Sequence, residues 1–192
     1  MKPIGVAALT ICGIDELPEH GSRAVTHVLS LIDPNWPEIT GFQGYGAHRR
    51  TTLRFHDVIE PGPGLIPPTQ EHVAEILAFG AELASETEAV AERHLLVHCH
   101  MGISRSTAAM LTLLAQVHPR EAEDELYARL RQMRPQAWPN SLMIGYADEI
   151  LGREGRLVAA LRRHYGIQIR ERPQFVDWMR RLARARELDM AE

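Results

Sequence analysis

One stretch of this 192-residue sequence decides the fold, namely Leu95-Leu96-Val97-His98-Cys99-His100-Met101-Gly102-Ile103-Ser104-Arg105-Ser106-Thr107. It starts with a short, continuous apolar run, which is typical of a buried strand in a parallel sheet. From Arg105 to Val117 the pattern becomes that of a helix. A buried strand, a short loop and a helix in this order predict an α/β domain.

The loop between this strand and this helix predicts a phosphate site. Successive backbone N–H groups can point inward as a nest for an anion, and the helix N-terminus adds its positive dipole end. Gly102 permits a backbone conformation that a Cβ would disfavour, and the planar fork of Arg105 can bind two phosphate oxygens. The predicted substrate-binding residues are His100, Met101, Gly102, Ile103, Ser104 and Arg105.

Cys99 is the predicted nucleophile. We expect the surrounding N–H dipoles and Arg105 to stabilise its thiolate form, which could attack a bound phosphorus and form a phosphocysteine. Ser106 could donate a hydrogen bond to the sulfur and help it leave in the second step. His98 is expected to order the loop, because a cysteine that is already a thiolate needs no base.

These residues resemble the signature of the cysteine-based protein tyrosine phosphatase superfamily, which is His-Cys, five residues, Arg, then Ser or Thr. His98-Cys99, Arg105 and Ser106 occupy the fixed positions, and Gly102 occupies the usual glycine position. The size and loop sequence are most similar to the dual-specificity branch and its bacterial relatives. The resemblance implies a phosphomonoester hydrolase acting on phosphotyrosine or with dual specificity, with a phosphorylated protein or another phosphomonoester as substrate and with no cofactor or metal.

The family also carries a general acid on a loop upstream of the cysteine, and Asp57 occupies the matching place. Cys99 follows Asp57 by 42 residues, a longer gap than in the smallest members of the family. Glu60 is the second candidate for the acid and Asp33, which also follows a strand, is the third. Asp57 could instead only cap a turn before Pro61.

The resemblance extends to about Leu151. Arg134-Pro135 and Pro139-Asn140 are similar to the family segment that packs behind the phosphate loop. Asn140 is therefore expected either to hydrogen-bond that loop or only to cap a helix. The family pattern does not place the helices after about residue 153. Residues 1–192 then form one phosphatase-like domain, or the C-terminal helices are an appended extension.

Working outward, the first half reads as short strands over 6–11, 26–32 and 51–55, separated by the loops 33–50 and 56–68. Thr69 can cap a first helix, and further helical patterns cover 105–117, 120–133, 140–151, 156–165 and 173–188. The predicted fold class is α/β, with a central, mainly parallel sheet flanked by helices and a helix-rich C-terminal half.

Composition limits the setting and the partners. With 21 Lys and Arg against 25 Asp and Glu, the net charge of −4 argues against a nucleic-acid binder. Cys12 and Cys99 read as free thiols in a reducing compartment. No apolar stretch is long enough to span a bilayer, so a cytoplasmic location without a membrane partner is expected. The sequence leaves the oligomeric state open.

Two other functions compete with the hydrolase. A phosphate-recognising module that does not turn over would tolerate losing Cys99, Arg105 or Ser106, and all three are present. A sulfur or arsenate transferase also uses a cysteine loop on an α/β sheet. A metal site at His98 and His100 is disfavoured, because no second cluster of Cys or His stands near them.

Overall fold

Four parallel strands form one sheet at the centre of the fold. The computed structural model describes residues 6–86 and 93–192. The strands are β1 (Ala8–Cys12), β2 (His27–Ile32), β3 (Arg49–Arg54) and β4 (His94–His98), in the spatial order β1-β4-β2-β3. All three strand pairs are parallel, so the predicted sheet is confirmed.

The centre of the sheet is the most buried part of it. Every residue of β2 and β4 is buried, whereas the edge strand β3 exposes four of its six residues. The register places His98 of β4 beside both Cys12 of β1 and Ser30 of β2. The carboxyl end of β4, from which the Cys99 loop departs, therefore lies between the carboxyl ends of two neighbouring strands, where open parallel sheets bind ligands.

Seven α-helices are present in the described residues, and a short 3₁₀ helix covers Leu17–His20. They are α1 (Gln70–Ser85), α2 (Arg105–Val117), α3 (Glu123–Met133), α4 (Ser141–Ile150), α5 (Arg156–Glu171), α6 (Gln174–Arg181) and α7 (Ala185–Asp189). Thr69 caps α1 and Asn140 caps α4, each accepting backbone hydrogen bonds through its side-chain oxygen, as the sequence predicts. None of the described helices has the length and apolar character that crossing a bilayer requires.

The helices near the C-terminus differ from the predicted ones. The helix predicted over 156–165 continues to Glu171, because its buried face continues through Gly166 and Gln168. The helix predicted over 173–188 is instead two helices, α6 and α7. Ala183 breaks it with a φ of +55°, a left-handed conformation that does not continue an α-helix. The break turns Arg184 toward the interior, where only 2% of its surface is exposed.

The helices after residue 153 share one apolar core with the helices that cover the sheet. Tyr165 of α5 and Phe175 of α6 are buried in the same cluster as the central helix α2. The ring of Trp138, which precedes α4, stacks on Tyr165 with centroids 4.3 Å apart and meets the Phe175 ring at 78°. Aromatic contacts of this kind add to the free energy of burial, so α5 and α6 are held by packing.

We therefore expect Phe175→Ala to lower the free energy of unfolding of the whole protein by about 3–5 kcal/mol. Urea unfolding followed by tryptophan fluorescence and by circular dichroism should give one coincident transition for wild type and variant. Leu182→Ala, at a side chain that is 49% exposed, is the matched control and should cost less than about 1 kcal/mol. A separate early transition in wild type would mean that the C-terminal helices unfold on their own.

Candidate active site

The loop that follows β4 holds a buried cysteine beside a hydroxyl group. Cys99 is 3% exposed, and its Sγ lies 3.2 Å from the Oγ of Ser106 in the first turn of α2. Gly102 has a φ of +69°, and a Cβ on it would lie 2.5 Å from the carbonyl carbon of Cys12. A side chain here would strain the backbone and collide with β1, so the loop requires glycine at this position.

Five consecutive carbonyl groups of this loop, from His100 to Ser104, are bonded to partners outside its concave side. His100 O accepts from Ile14 N at 2.9 Å, Met101 O and Gly102 O from the Arg134 guanidinium at 2.9 and 3.0 Å, Ile103 O from Trp138 N at 2.8 Å, and Ser104 O from Ala108 N at 2.9 Å. In a trans peptide the C=O and N–H point in opposite directions. The N–H groups of the loop are therefore directed to its concave side, as an anion nest requires.

Arg105 is fixed beside the nest and retains an unused donor. It is 2% exposed, and its Nη1 donates to the Asp33 carboxylate at 2.7 Å and to Phe55 O at 2.5 Å. Its Nε is buried and has no acceptor among the described residues. Because a buried unpaired donor costs about 1–3 kcal/mol, an anion in the loop would be stabilised by supplying that acceptor.

The two histidines that flank Cys99 have different environments. The Nε2 of His98 lies 2.7 Å from Ser30 Oγ in the sheet, and burial lowers the pKa of His98 to about 4, so this ring is neutral near pH 7. The ring of His100 lies 4.0 Å from that of Trp36, and burial together with the charge of Arg105 lowers the pKa of His100. Within 6–86 and 93–192, no group of three or more His, Cys, Asp or Glu side chains is arranged to hold a metal ion.

Asp57 lies opposite the cysteine loop, in the segment that follows β3. Its Oδ1 accepts from Ser104 Oγ at 2.7 Å, from Asn140 Nδ2 at 2.9 Å and from Arg184 Nη1 at 3.3 Å. Burial alone would raise the pKa of Asp57, but the charges of Arg184 and Arg105 and these hydrogen bonds outweigh burial and lower it. The carboxylate is therefore ionised near neutral pH in this structure.

The two other candidate acids occupy different places. Asp33 lies in the wall of the same cavity, where it is bound to Arg105. Glu60 has a side chain that is 60% exposed, faces Arg186 at 3.9 Å and is absent from the cavity wall. The structure thus brings Asp57 and Asp33 together with Cys99 and leaves Glu60 outside.

The cavity above Cys99 has a volume of about 300 Å³. The predicted loop and the segments that carry Asp33, Asp57 and Leu65 form part of its wall. A further part comes from the C-terminal segment, a contribution that the sequence does not indicate. It consists of Trp178, Met179, Leu182 and Arg184. The only sequence signal was the high arginine content of this segment, which is equally typical of a solvated helix surface.

The expected contact between Asn140 and the phosphate loop is corrected by the structure. The Asn140 amide donates to Asp57 and to Val58 O, while its oxygen caps α4. Asn140 thus contacts the segment that carries Asp57. The contact behind the phosphate loop is made by Arg134, which donates to Gly102 O and Met101 O. Arg134 also pairs with Glu16, which accepts from Gly13 N at 2.6 Å and so ties the loop to the end of β1.

Comparisons with known proteins agree with this geometry. No family model matches the chain. It is 29% identical over 163 residues to rat dual specificity protein phosphatase 12, covering 84% of this chain and 43% of that protein. The chain thus spans less than half the length of this curated relative.

Solved structures share the fold at low identity. The human tyrosine phosphatase-like serine/threonine/tyrosine-interacting protein matches with a TM-score of 0.56 and 18% identity, over 78% of this chain and 95% of its own. DUSP15 matches with a TM-score of 0.53 and 19% identity, over 90% of this chain and 96% of its own.

The fold and the loop together define an α/β protein with a buried cysteine in a loop at the carboxyl end of a parallel sheet. The chain is similar in sequence to a dual specificity protein phosphatase and shares the fold of the two solved structures. The fold class predicted from the sequence is confirmed, and the predicted resemblance to the dual-specificity branch agrees with the sequence comparison.

We predict that Gly102→Ala weakens the binding of vanadate or inorganic phosphate at least tenfold, because the added Cβ meets the β1 backbone and the residue has a positive φ. Isothermal titration calorimetry would measure the affinity, and thermal unfolding would measure the accompanying loss of stability. Gly145→Ala, at a helical glycine with open space around it, is the control and should bind normally. Normal binding by the Gly102 variant would show that the loop does not depend on this conformation.

Proposed function

We propose that this chain is a phosphomonoester hydrolase that removes phosphate from tyrosine, or from tyrosine together with serine and threonine, through a phosphocysteine intermediate. The observation that carries the proposal is the position of the buried Cys99 sulfur in a loop whose carbonyls from His100 to Ser104 are all bonded elsewhere. The unpaired Nε of Arg105 adds a donor that a phosphate oxygen would satisfy.

In the first step the phosphate group occupies the loop, held by backbone N–H groups and by Arg105. The Cys99 thiolate attacks phosphorus, an S–P bond forms and the bond from phosphorus to the ester oxygen breaks. The leaving oxygen needs a proton, which Asp57 supplies when its carboxyl group is protonated. Three donors hold Oδ1 of Asp57, so Oδ2 is the oxygen that carries this proton.

In the second step water attacks the phosphocysteine. Asp57, now a carboxylate, accepts a proton from that water, and inorganic phosphate forms as the S–P bond breaks. The Ser106 hydroxyl, 3.2 Å from Sγ, can donate a hydrogen bond to the departing thiolate. Both steps use the same residues, and the second restores Cys99 and Asp57 to their starting forms.

The cavity supports a substrate with one phosphate group on an apolar carrier. Leu65, Met101 and Leu182 line it and are exposed by 41, 56 and 49%. The two arginines in its wall, Arg105 and Arg184, are each already bound to a carboxylate. A substrate with several phosphates would need further cations to stabilise its charge, so these walls favour a phosphoprotein side chain or another simple monoester.

The proposal includes the setting of the protein. The buried, unpaired thiols of Cys12 and Cys99 support a reducing, cytoplasmic location. The net charge of −4 supports a partner other than nucleic acid. The shared core of α2, α5 and α6 supports one domain that includes the C-terminal helices.

Cys99→Ser should abolish hydrolysis of a chromogenic aryl phosphate, which the wild-type protein should cleave without added metal and with inhibition by vanadate. A serine hydroxyl is far less ionised than a thiol, so the nucleophile is lost while the phosphate nest remains. The variant should still bind a phosphotyrosine peptide in a titration by fluorescence anisotropy.

Cys12→Ala is the matched control, since it removes the other buried thiol and should remain active. Full activity of Cys99→Ser would refute the mechanism. Binding without turnover by wild type would indicate a phosphate-recognising module, and thiosulfate:cyanide sulfurtransfer by wild type would indicate a transferase.

Asp57→Asn should slow the hydrolysis of alkyl phosphates by about 10²–10⁴-fold, because their alkoxides are poor leaving groups. It should slow activated aryl phosphates much less, because those leaving groups need little protonation. Steady-state rates on a series of esters with different leaving-group acidity would show a steeper dependence for the variant. Glu60→Gln, at an exposed carboxylate of the same segment, is the control and should leave the dependence unchanged. An unchanged slope in Asp57→Asn would assign the proton donor elsewhere.

A further inference from the structure

The C-terminal segment places a buried arginine against the cavity. Arg184 lies between α6 and α7, and its Nε and Nη2 each donate to the Glu187 carboxylate at 2.8 Å. Its Nη1 faces the opposite direction and donates to Ser104 Oγ at 2.7 Å and to Asp57 Oδ1 at 3.3 Å. The guanidinium thus joins the C-terminal segment both to the phosphate loop and to the proposed general acid.

Glu187 fixes this arginine to the interior of the protein. The carboxylate is fully buried and accepts from Trp138 Nε1 at 2.7 Å and from Ser141 N at 2.9 Å. The Tyr165 hydroxyl, which donates to Pro139 O at 2.5 Å, also lies 3.1 Å from this carboxylate. These groups belong to the start of α4, the segment before it, and α5. A buried polar network whose members are all bonded is rigid, so Arg184 is held in one orientation.

Ser104 connects the arginine to the acid by a second route. Its hydroxyl accepts from Arg184 and donates to Asp57 at 2.7 Å. Asn140 supplies the remaining donor to the same oxygen of Asp57. The orientation of the Asp57 carboxylate is therefore set by three side chains, of which Arg184 alone carries a charge.

We propose that Arg184 is a positioning residue for Asp57, by which the C-terminal segment sets both the orientation and the protonation of the group that protonates the leaving oxygen. The proposal rests on the proposed phosphatase function. It assigns to the helices after residue 153 a part in the chemistry of the site, in addition to their packing.

The charges around Asp57 determine the sign of the pH effect. Arg184 faces it from the C-terminal segment, with Glu187 behind the arginine, and Arg105 faces it from α2 with part of its charge offset by Asp33. His100, in the phosphate loop, also interacts with Asp57, and its pKa is lowered; His56 and Cys99 line the same cavity. The two arginines together lower the pKa of Asp57, so removing the charge of Arg184 should raise it.

A reaction that needs protonated Asp57 loses rate as the pH rises through the pKa of that group. With Arg184→Met, the falling limb of the kcat/KM profile for an alkyl phosphate should therefore move to higher pH. The rate on the acid plateau should drop roughly tenfold or more, because the carboxyl group is no longer oriented. An activated aryl phosphate should change by less than about threefold, since it depends little on the proton donor.

Arg184→Lys separates charge from orientation. The lysine keeps a positive charge near Asp57 but cannot bind Glu187 and Ser104 at once through a planar fork. In this variant the falling limb of the kcat/KM profile should stay near the wild-type pH, while the plateau rate for the alkyl phosphate falls. Arg181→Met, at an exposed arginine of α6, is the matched control and should leave both quantities unchanged.

Removing Arg184 alone leaves the buried charge of Glu187 unpaired and could unfold the chain, so Arg184→Met/Glu187→Gln provides a second variant with both charges removed. Thermal unfolding and vanadate titration would check that the fold and the phosphate nest persist. If the fold and the nest persist, the proposal would be overturned when Arg184→Met or the double variant keeps the wild-type pH of the falling kcat/KM limb and the wild-type plateau rate for the alkyl phosphate. Inactive wild type would instead refute the proposed function.

Discussion

The outward bonding of the loop carbonyls is the constraint on which the rest of the structure depends. Five consecutive carbonyls, from His100 to Ser104, must have partners on the convex side so that their peptide N–H groups can face an anion. Those partners come from distant parts of the chain, including Ile14 after β1, Arg134 after α3 and Trp138 before α4. Hydrogen bonds to this short loop, together with apolar packing, therefore hold these distant segments in place around the sheet.

The same loop also connects the nest to Asp57, the proposed proton donor. Ser104 contributes its carbonyl to the first turn of α2, while its hydroxyl donates to Asp57 and accepts from Arg184. One residue thus fixes the distance between the phosphate nest and the carboxylate. Because removing one partner of a buried ion pair costs about 3–5 kcal/mol, the charges of Asp57, Arg184 and Glu187 stabilise this arrangement only as a set.

How far the sequence predicts this site depends on the range of the interactions involved. The loop, Cys99 and Arg105 lie within one continuous segment, where residue type and spacing determine the geometry directly. The parallel sheet and the caps at Thr69 and Asn140 likewise follow from local patterns. These features could all be predicted.

The contacts that the sequence does not predict join residues far apart in the chain. Arg184 is 127 residues from Asp57, and the helical pattern of 173–188 gives no sign of the break at Ala183 that turns the arginine inward. The bond from Asn140 to Asp57 depends on how two loops meet above the sheet. Helix capping alone is enough to explain an asparagine at this position, so the sequence does not indicate this second contact. Arginine-rich amphipathic segments usually lie at the surface, so composition predicts that Arg184 is exposed, whereas the structure buries it.

The charges around the cavity couple the arrival of phosphate to the protonation of Asp57. Arg105 and Arg184 both act on this carboxylate and lower its pKa, which is unfavourable for the proposed donation of a proton. A phosphate dianion in the nest would offset the charge of Arg105, whereas Arg184 remains neutralised in part by Glu187 on its far side. The bound substrate would thereby raise the proton affinity of Asp57 when the leaving oxygen needs its proton. The lowered pKa of Asp57 is thus compatible with its proposed role, because the substrate itself changes the balance of charge.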